Sequence, residues 1–187
     1  CEQQSLLLTY YWLKEALKYQ TPKAVVLDTY ILHTYKGAVG KPLNCTEATI
    51  RKSMDSMHWN VNKMDAIKDI CQADQTQSSV SFYLPNVRFH TRWYGLAEND
   101  FTAGELSEHP GTFGFSALSN IDGTKFTPLS EGSSEKKEEL VPLMEFYLKQ
   151  ITTLCQDKNI PLILVKTPSR YQTIERHNAT KEYAQAN

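Results

Sequence analysis

Two features of the sequence predict an α/β fold, a doubly wound parallel sheet with a helical insertion. The first is a helix-then-strand unit that occurs twice, at residues 5–28 and again at 138–165. The second is that both strand segments are continuous apolar runs rather than alternating ones, the pattern of strands buried in a parallel sheet. Residues 29–137 lie between them, far more than the dozen or so residues that a minimal parallel crossover needs, so this stretch must carry structure of its own.

The first helix is read from Leu6, Leu7, Tyr10, Tyr11, Leu13 and Leu17, which recur at three- and four-residue spacing with Lys14, Glu15 and Lys18 between them. Thr21-Pro22 ends it, and residues 24–28, Ala-Val-Val-Leu-Asp, form the first strand. In the insertion, 46–54 and 61–71 have helical spacing, with Asn60 as N-cap of the second. A further helix is expected over 82–96, interrupted near Pro85, and 111–134 is a loop by its Gly, Ser, Thr and Pro content. The second unit begins with a helix over 138–158, stopped by Asn159. The strand 160–165, Ile-Pro-Leu-Ile-Leu-Val, follows it, then a turn at Thr167-Pro168-Ser169 and a last helix over 170–186. The helical cap is placed at about 31–137 of a single domain spanning 1–187. Two strands are fewer than the four to six of an ordinary sheet, so the chain is read as part of a longer protein.

Composition narrows the function. The chain has 187 residues, 41% of them hydrophobic and 22% charged, an ordinary globular balance that excludes a disordered tail or a disulfide miniprotein. Lys and Arg number 20 against 21 Asp and Glu, for a net charge of −1, so the basic surplus that a phosphate backbone selects is missing and nucleic acid is not the expected partner. No apolar run approaches the roughly 20 residues that cross a bilayer. The four cysteines, Cys1, Cys45, Cys71 and Cys155, lack metal-ligand and C-x-x-C spacing and are read as packing residues, their pairing left open. No metal or other cofactor is expected. Asn44-Cys45-Thr46 and Asn178-Ala179-Thr180 match the glycosylation triplet, a pattern that chance produces often.

Nucleotide and hydrolase signatures are missing: there is no G-x-S-x-G, G-x-G-x-x-G or phosphate-loop motif. Gly114-Phe115-Ser116-Ala117-Leu118 is a near miss in the wrong context, and Asp55-Ser56-Met57-His58 reads as a helix end and a surface histidine. Strand ends are more informative, because open parallel sheets bind ligands outside the carboxyl ends of their strands. That rule selects Asp28, Thr29 and Tyr30 at one end and Lys166, Thr167 and Ser169 at the other. A carboxylate and a phenol beside an amine and a hydroxyl can bind or polarise an acyl group; the competing reading makes Asp28 and Thr167 caps of the turns that follow. The densest polar-aromatic cluster is Arg88-Phe89-His90-Thr91-Arg92-Trp93-Tyr94, in which His90 and Arg92 suit an anionic or sugar ligand. It is equally a helix that buries its aromatics and lets its arginines reach solvent. His177 is read as exposed.

Residues 10–17 (YYWLKEAL), 22–28 (PKAVVLD), 88–93 (RFHTRW) and 160–169 (IPLILVKTPS) together resemble bacterial cell-surface proteins of the SGNH/GDSL-hydrolase type. Relatives of that type include polysaccharide O-acetyltransferases and the D-alanyl transfer protein of lipoteichoic acid synthesis. The resemblance implies a flavodoxin-like SGNH sheet, with 24–28 as its third strand and 162–165 as its fourth. The nucleophilic Ser block would then precede Cys1 and the Asp-x-x-His block would follow Asn187. Where the family carries Gly-x-Asn-Asp, this chain carries Asp28-Thr29-Tyr30, while Gln3 and Gln4 fall near the end of the second family block as hydrogen-bond donors. The implied activity is that of a serine esterase or O-acyltransferase acting on an acylated glycan or cell-wall polymer. Gln4, Asp28, Tyr30, His90, Arg92, Lys166 and Thr167 would bind the substrate. The protein would be extracytoplasmic, anchored through an N-terminal segment outside this chain, and would work with a membrane-bound acyltransferase. The alternatives are a non-catalytic carbohydrate-binding or scaffold domain of the cell envelope and a cytoplasmic α/β protein with unrelated ligands.

Overall fold

The computed structural model describes residues 4–33, 40–84, 86–87, 95, 136–167 and 173–186. The element order is α1 (Leu6–Ala16), β1 (Val25–Asp28), a 3-10 turn (Tyr30–Leu32), α2 (Glu47–Asp55), α3 (Val61–Ala73), α4 (Val80–Tyr83), α5 (Pro142–Asp157), β2 (Leu162–Val165) and α6 (Ile174–Ala186). The chain is thus mixed α/β, mostly helical, around a small parallel sheet.

Local chemistry sets most of the boundaries. Ser5, Thr46 and Asn60 each cap a helix by accepting a backbone amide, from Leu7, Thr49 and Lys63 respectively. Asn159 adopts a left-handed φ of 54° just past α5, and two bonds lock the turn: Ile160 N–H to the Cys155 carbonyl and Asn159 N–H to the Gln156 carbonyl, both at 2.9 Å. This is the Schellman arrangement, in which Asn tolerates the left-handed residue and Ile160 closes the apolar contact.

Three helices depart from the expected bounds. α5 starts at Pro142 rather than residue 138, because a residue before proline is driven to extended backbone, and Val141 has φ −62° and ψ 122°. The amides ahead of it are used elsewhere: Glu138 N–H reaches the Glu175 carbonyl at 3.3 Å and Val141 N–H the Leu32 carbonyl at 3.0 Å. Of the helix expected over 82–96 with an interruption near Pro85, the described residues show one turn at Val80–Tyr83 and helical backbone again at 86–87; the remainder of that segment lies largely outside the described residues, and the 111–134 loop wholly so. The last helix starts at Ile174, where the Thr173 hydroxyl accepts the Arg176 amide.

β1 and β2 pair in parallel, with Val25 opposite Leu162 and Asp28 opposite Val165. Leu27 and its inward neighbours pack on a core shared by α1, α3 and α5, in which Leu6, Leu7, Leu8, Ile67, Ile70, Met144, Leu148 and Ile151 are buried. The helices of the insertion belong to this core: α3 packs on α1, and the Trp12 indole of α1 donates to Ser53 of α2 at 2.7 Å. A polar seam runs through it, where Asp69 accepts from the hydroxyls of Tyr11 at 2.6 Å and Tyr147 at 2.8 Å. The opposite sheet face shows Val26, Ile163 and Val165 exposed, Val26 at 65%. Among the described residues no helix is long and apolar enough to cross a membrane.

Cys45 and Cys155 are buried free thiols and Cys71 is a half-buried one; burial pushes the Cys45 thiol up to about 11. Cys1 lies outside the described residues. Asn44 of the glycosylation triplet is 2% exposed, and its amide nitrogen donates to the carbonyls of Ile31 and His33 at 2.8 and 3.2 Å, so it is a buried structural residue. Asn178 is half-buried and donates to the Lys136 carbonyl at 3.3 Å.

The one-sided burial of the sheet sets a contrast that urea denaturation measures. Leu148→Ala should cost about 2–5 kcal/mol, since it opens a cavity in the core. Val26→Ser, on the solvent face, should stay within about 0.5 kcal/mol of the parent.

Candidate functional site

Parallel pairing brings the carboxyl ends of β1 and β2 side by side, and the side chains there divide by the alternation of extended backbone. Asp28 and Thr167 fall on the solvent side with Val26 and Val165. Lys166 falls on the inner side with Leu164.

On the solvent side the Thr167 hydroxyl donates to Asp28 Oδ2, and the Tyr30 amide donates to Asp28 Oδ1 at 3.0 Å. One carboxylate therefore ties the two strand ends together and fixes the 3-10 turn after β1. Thr29 adds a second tie, its hydroxyl and its amide both reaching the Val165 carbonyl, at 3.1 and 2.9 Å. Asp28 and Tyr30 border an open cavity of about 750 Å³ that runs along α1. Gln4 stands at its polar end, and its wall includes Leu6, Trp12, Leu13 and Leu27. Among the sequence-predicted residues, the structure thus gathers Gln4, Asp28 and Tyr30 on one cavity, with Thr167 bonded to Asp28 beside it. Such a mostly apolar cleft with a few convergent polar groups is the usual form of a small-ligand site.

Lys166 belongs to a different neighbourhood. Its ammonium nitrogen is buried, and the charged groups around it are Arg176 and Glu138, with His33 nearby. Arg176 holds Glu138 through two contacts, Nε to Oε2 and Nη2 to Oε1, each 2.8 Å. The buried His33 ring presents Nδ1 at 3.7 Å from Glu138 Oε1. Arg176 holds the Glu138 carboxyl below the ordinary carboxylate range. Burial lowers the pKa of His33, with Arg176 and Lys166 adding to the fall and Glu138 opposing it. Burial, then Arg176, lowers that of Lys166, again against Glu138.

His90 and Arg92, like Ser116 and Ser169, lie outside the described residues. Asp55 and His58 are exposed around the end of α2, as their spacing in a helix-end reading requires. His177 is half-buried on α6, where an exposed position was expected, because α6 lies close enough to the 136–138 segment for Arg176 and Asn178 to bond to it. Sequence reasoning missed His33, Glu138 and Arg176. The only signal was position, since His33 follows a strand end by five residues and Glu138 sits in a run of charges that reads as solvated. Among the described residues no group of three or more His, Cys, Asp or Glu side chains has the arrangement of a metal site. No family model matches the chain, nor does any curated protein or solved structure.

The His33 shift fixes a pH dependence. Its folded pKa lies below the ordinary 6.5, so below that value the unfolded chain takes up a proton that the folded chain resists. Stability is full above the ordinary imidazole range and falls as pH drops through it. Glu138, lowered from 4.5, adds a second loss at more acid pH. Urea midpoints should decline between about pH 7 and pH 5.5, and His33→Gln should remove that first decline while leaving the second.

Proposed function

We propose that these residues form part of a doubly wound, SGNH-like α/β domain in a bacterial cell-surface protein that hydrolyses or transfers an ester-linked acyl group on a polysaccharide. The observation that carries this reading is the Asp28–Thr167 tie across two parallel strand ends, set at the mouth of a cavity bordered by Gln4 and Tyr30. Ligands of open parallel sheets bind in this crevice. The resemblance of residues 160–169 and 22–28 to the SGNH type supplies the reaction class.

In this reading the Ser nucleophile and its Asp-x-x-His partners come from outside residues 1–187, with the His as general base and without a cofactor. Asp28 is a positioning residue. By accepting the Tyr30 amide and the Thr167 hydroxyl, it fixes the turn that carries the Tyr30 side chain. In this reading the Tyr30 phenol and the Gln4 amide, both lining the cavity, donate to the acyl oxygen. The acceptor is an acylated glycan or cell-wall polymer outside the cytoplasmic membrane, and a membrane-bound acyltransferase is the source of the acyl group.

A fluorophosphonate probe, read by intact-protein and peptide mass spectrometry on the full-length gene product, tests this. One adduct on a serine outside these residues is expected. Tyr30→Phe should slow ester hydrolysis about 10²-fold, the effect of losing one oxyanion donor. A folded, unlabelled protein would overturn the enzyme reading in favour of a glycan-binding domain.

A further inference from the structure

Among the described residues, several buried charged groups elsewhere are held by opposite charges or hydrogen bonds, including Arg51, whose guanidinium contacts Glu47 and Gln77. Glu15 accepts from Lys18, Asn60 and Asn62; Asp74 accepts from Thr76 and Gln77; and the Lys63 ammonium donates to the Met57 carbonyl at 2.9 Å and lies 4.1 Å over the Trp59 ring. The inner end of the sheet breaks this pattern. Among the described residues, Lys166 Nζ has no acceptor, and neither ring nitrogen of His33 makes a well-formed hydrogen bond, the Glu139 backbone beside it offering at most a weak one.

Among the described residues, the charges there do not balance. Glu138 and Arg176 cancel, and both carboxylate oxygens are already engaged by the guanidinium. Lys166 remains as one surplus cation, facing Arg176 and Glu138, and His33 faces Glu138, Arg176, Lys166 and the Glu139 backbone. A buried ammonium without a partner is among the most costly groups in a protein interior. Two donors without acceptors, at a point of surplus positive charge, are complementary to a small anion with several acceptor oxygens.

We propose that Lys166 and His33 form a binding site for a compact oxyanion, a carboxylate or phosphate group of the ligand, with the Arg176–Glu138 pair as its fixed wall. The site lies at the carboxyl end of the parallel sheet, on the inner side, while the Asp28–Thr167 tie is on the solvent side. The flexible four-carbon stem of Lys166 leaves β2 on the inner face, opposite Val165 and Thr167, and lets the amine reorient towards an anion. The ligand therefore carries a negative charge. This goes beyond the acyl-transfer reading and needs no nucleophile, so each fails or survives without the other.

Calorimetric titration of inorganic phosphate, and separately of acetate, into the full chain tests the site, with ionic strength held constant by chloride. Saturable binding is expected, weakened at least about tenfold by Lys166→Met, the scale of a lost charge-assisted hydrogen bond, and less by His33→Gln. Binding of phosphate but not acetate assigns the site to a phosphate group, and the converse to a carboxylate. No saturable binding of either anion, or binding undiminished in folded Lys166→Met, overturns the proposal. If that variant does not fold, acetylation of the unaltered chain by N-hydroxysuccinimidyl acetate decides. The bound anion should slow modification of Lys166 while leaving exposed lysines such as Lys158 unchanged, and equal slowing at all lysines, or none at Lys166, overturns it.

Discussion

The parallel pairing of Val25–Asp28 with Leu162–Val165 is the constraint on which the described structure depends. Parallel strands cannot be closed by a hairpin, so the chain must leave the carboxyl end of β1, cross over, and re-enter at the opposite end, beside the start of β1. Thr29 and Val165 are 136 positions apart, and Thr29 still donates two hydrogen bonds to the Val165 carbonyl. Four-residue strands contribute few ladder bonds, so the helices on the inner face must supply the burial. α1 and α5 pack together over that face with Leu6, Leu7, Leu8, Leu148 and Ile151 buried. The same pairing creates the site. In an antiparallel ladder the ends of β1 and β2 would face opposite ways, and Asp28 could not reach Thr167.

What was legible in the sequence was what neighbouring residues decide. Ser5, Thr46 and Asn60 announce helix starts because their side chains accept amides two or three residues on, and Asn159 announces a stop because it tolerates left-handed backbone. The two strands stood out as continuous apolar runs. The start of α5 was misplaced by four residues because the information lies elsewhere in the chain. Glu138 and Val141 give their amides to Glu175 and Leu32, partners that no local window contains.

The site divides along the same line. Asp28 and Thr167 follow from a positional rule that needs only the strand ends. The cluster of His33, Glu138, Arg176 and Lys166 has no periodicity and draws on four separate segments, so His33, Glu138 and Arg176 taken alone read as ordinary polar residues and only Lys166 is selected by its strand end. Sequence position placed Lys166 beside Thr167 as one polar edge. The alternation of extended backbone instead sends their side chains to opposite sides of the sheet.

That separation has an electrostatic consequence. Asp28 is exposed, and water and salt weaken the reach of its charge, so its contribution is geometric: it holds a turn and a strand end in place. In the inner cluster His33 and the Lys166 ammonium are buried while Glu138 and Arg176 are half-exposed, and at the buried groups an unmatched charge is screened less because the surrounding dielectric is lower. The two sides of the sheet's carboxyl end are therefore not interchangeable as ligand anchors. The solvent side can shape a cavity edge and orient a neutral group, and the inner side can recognise charge.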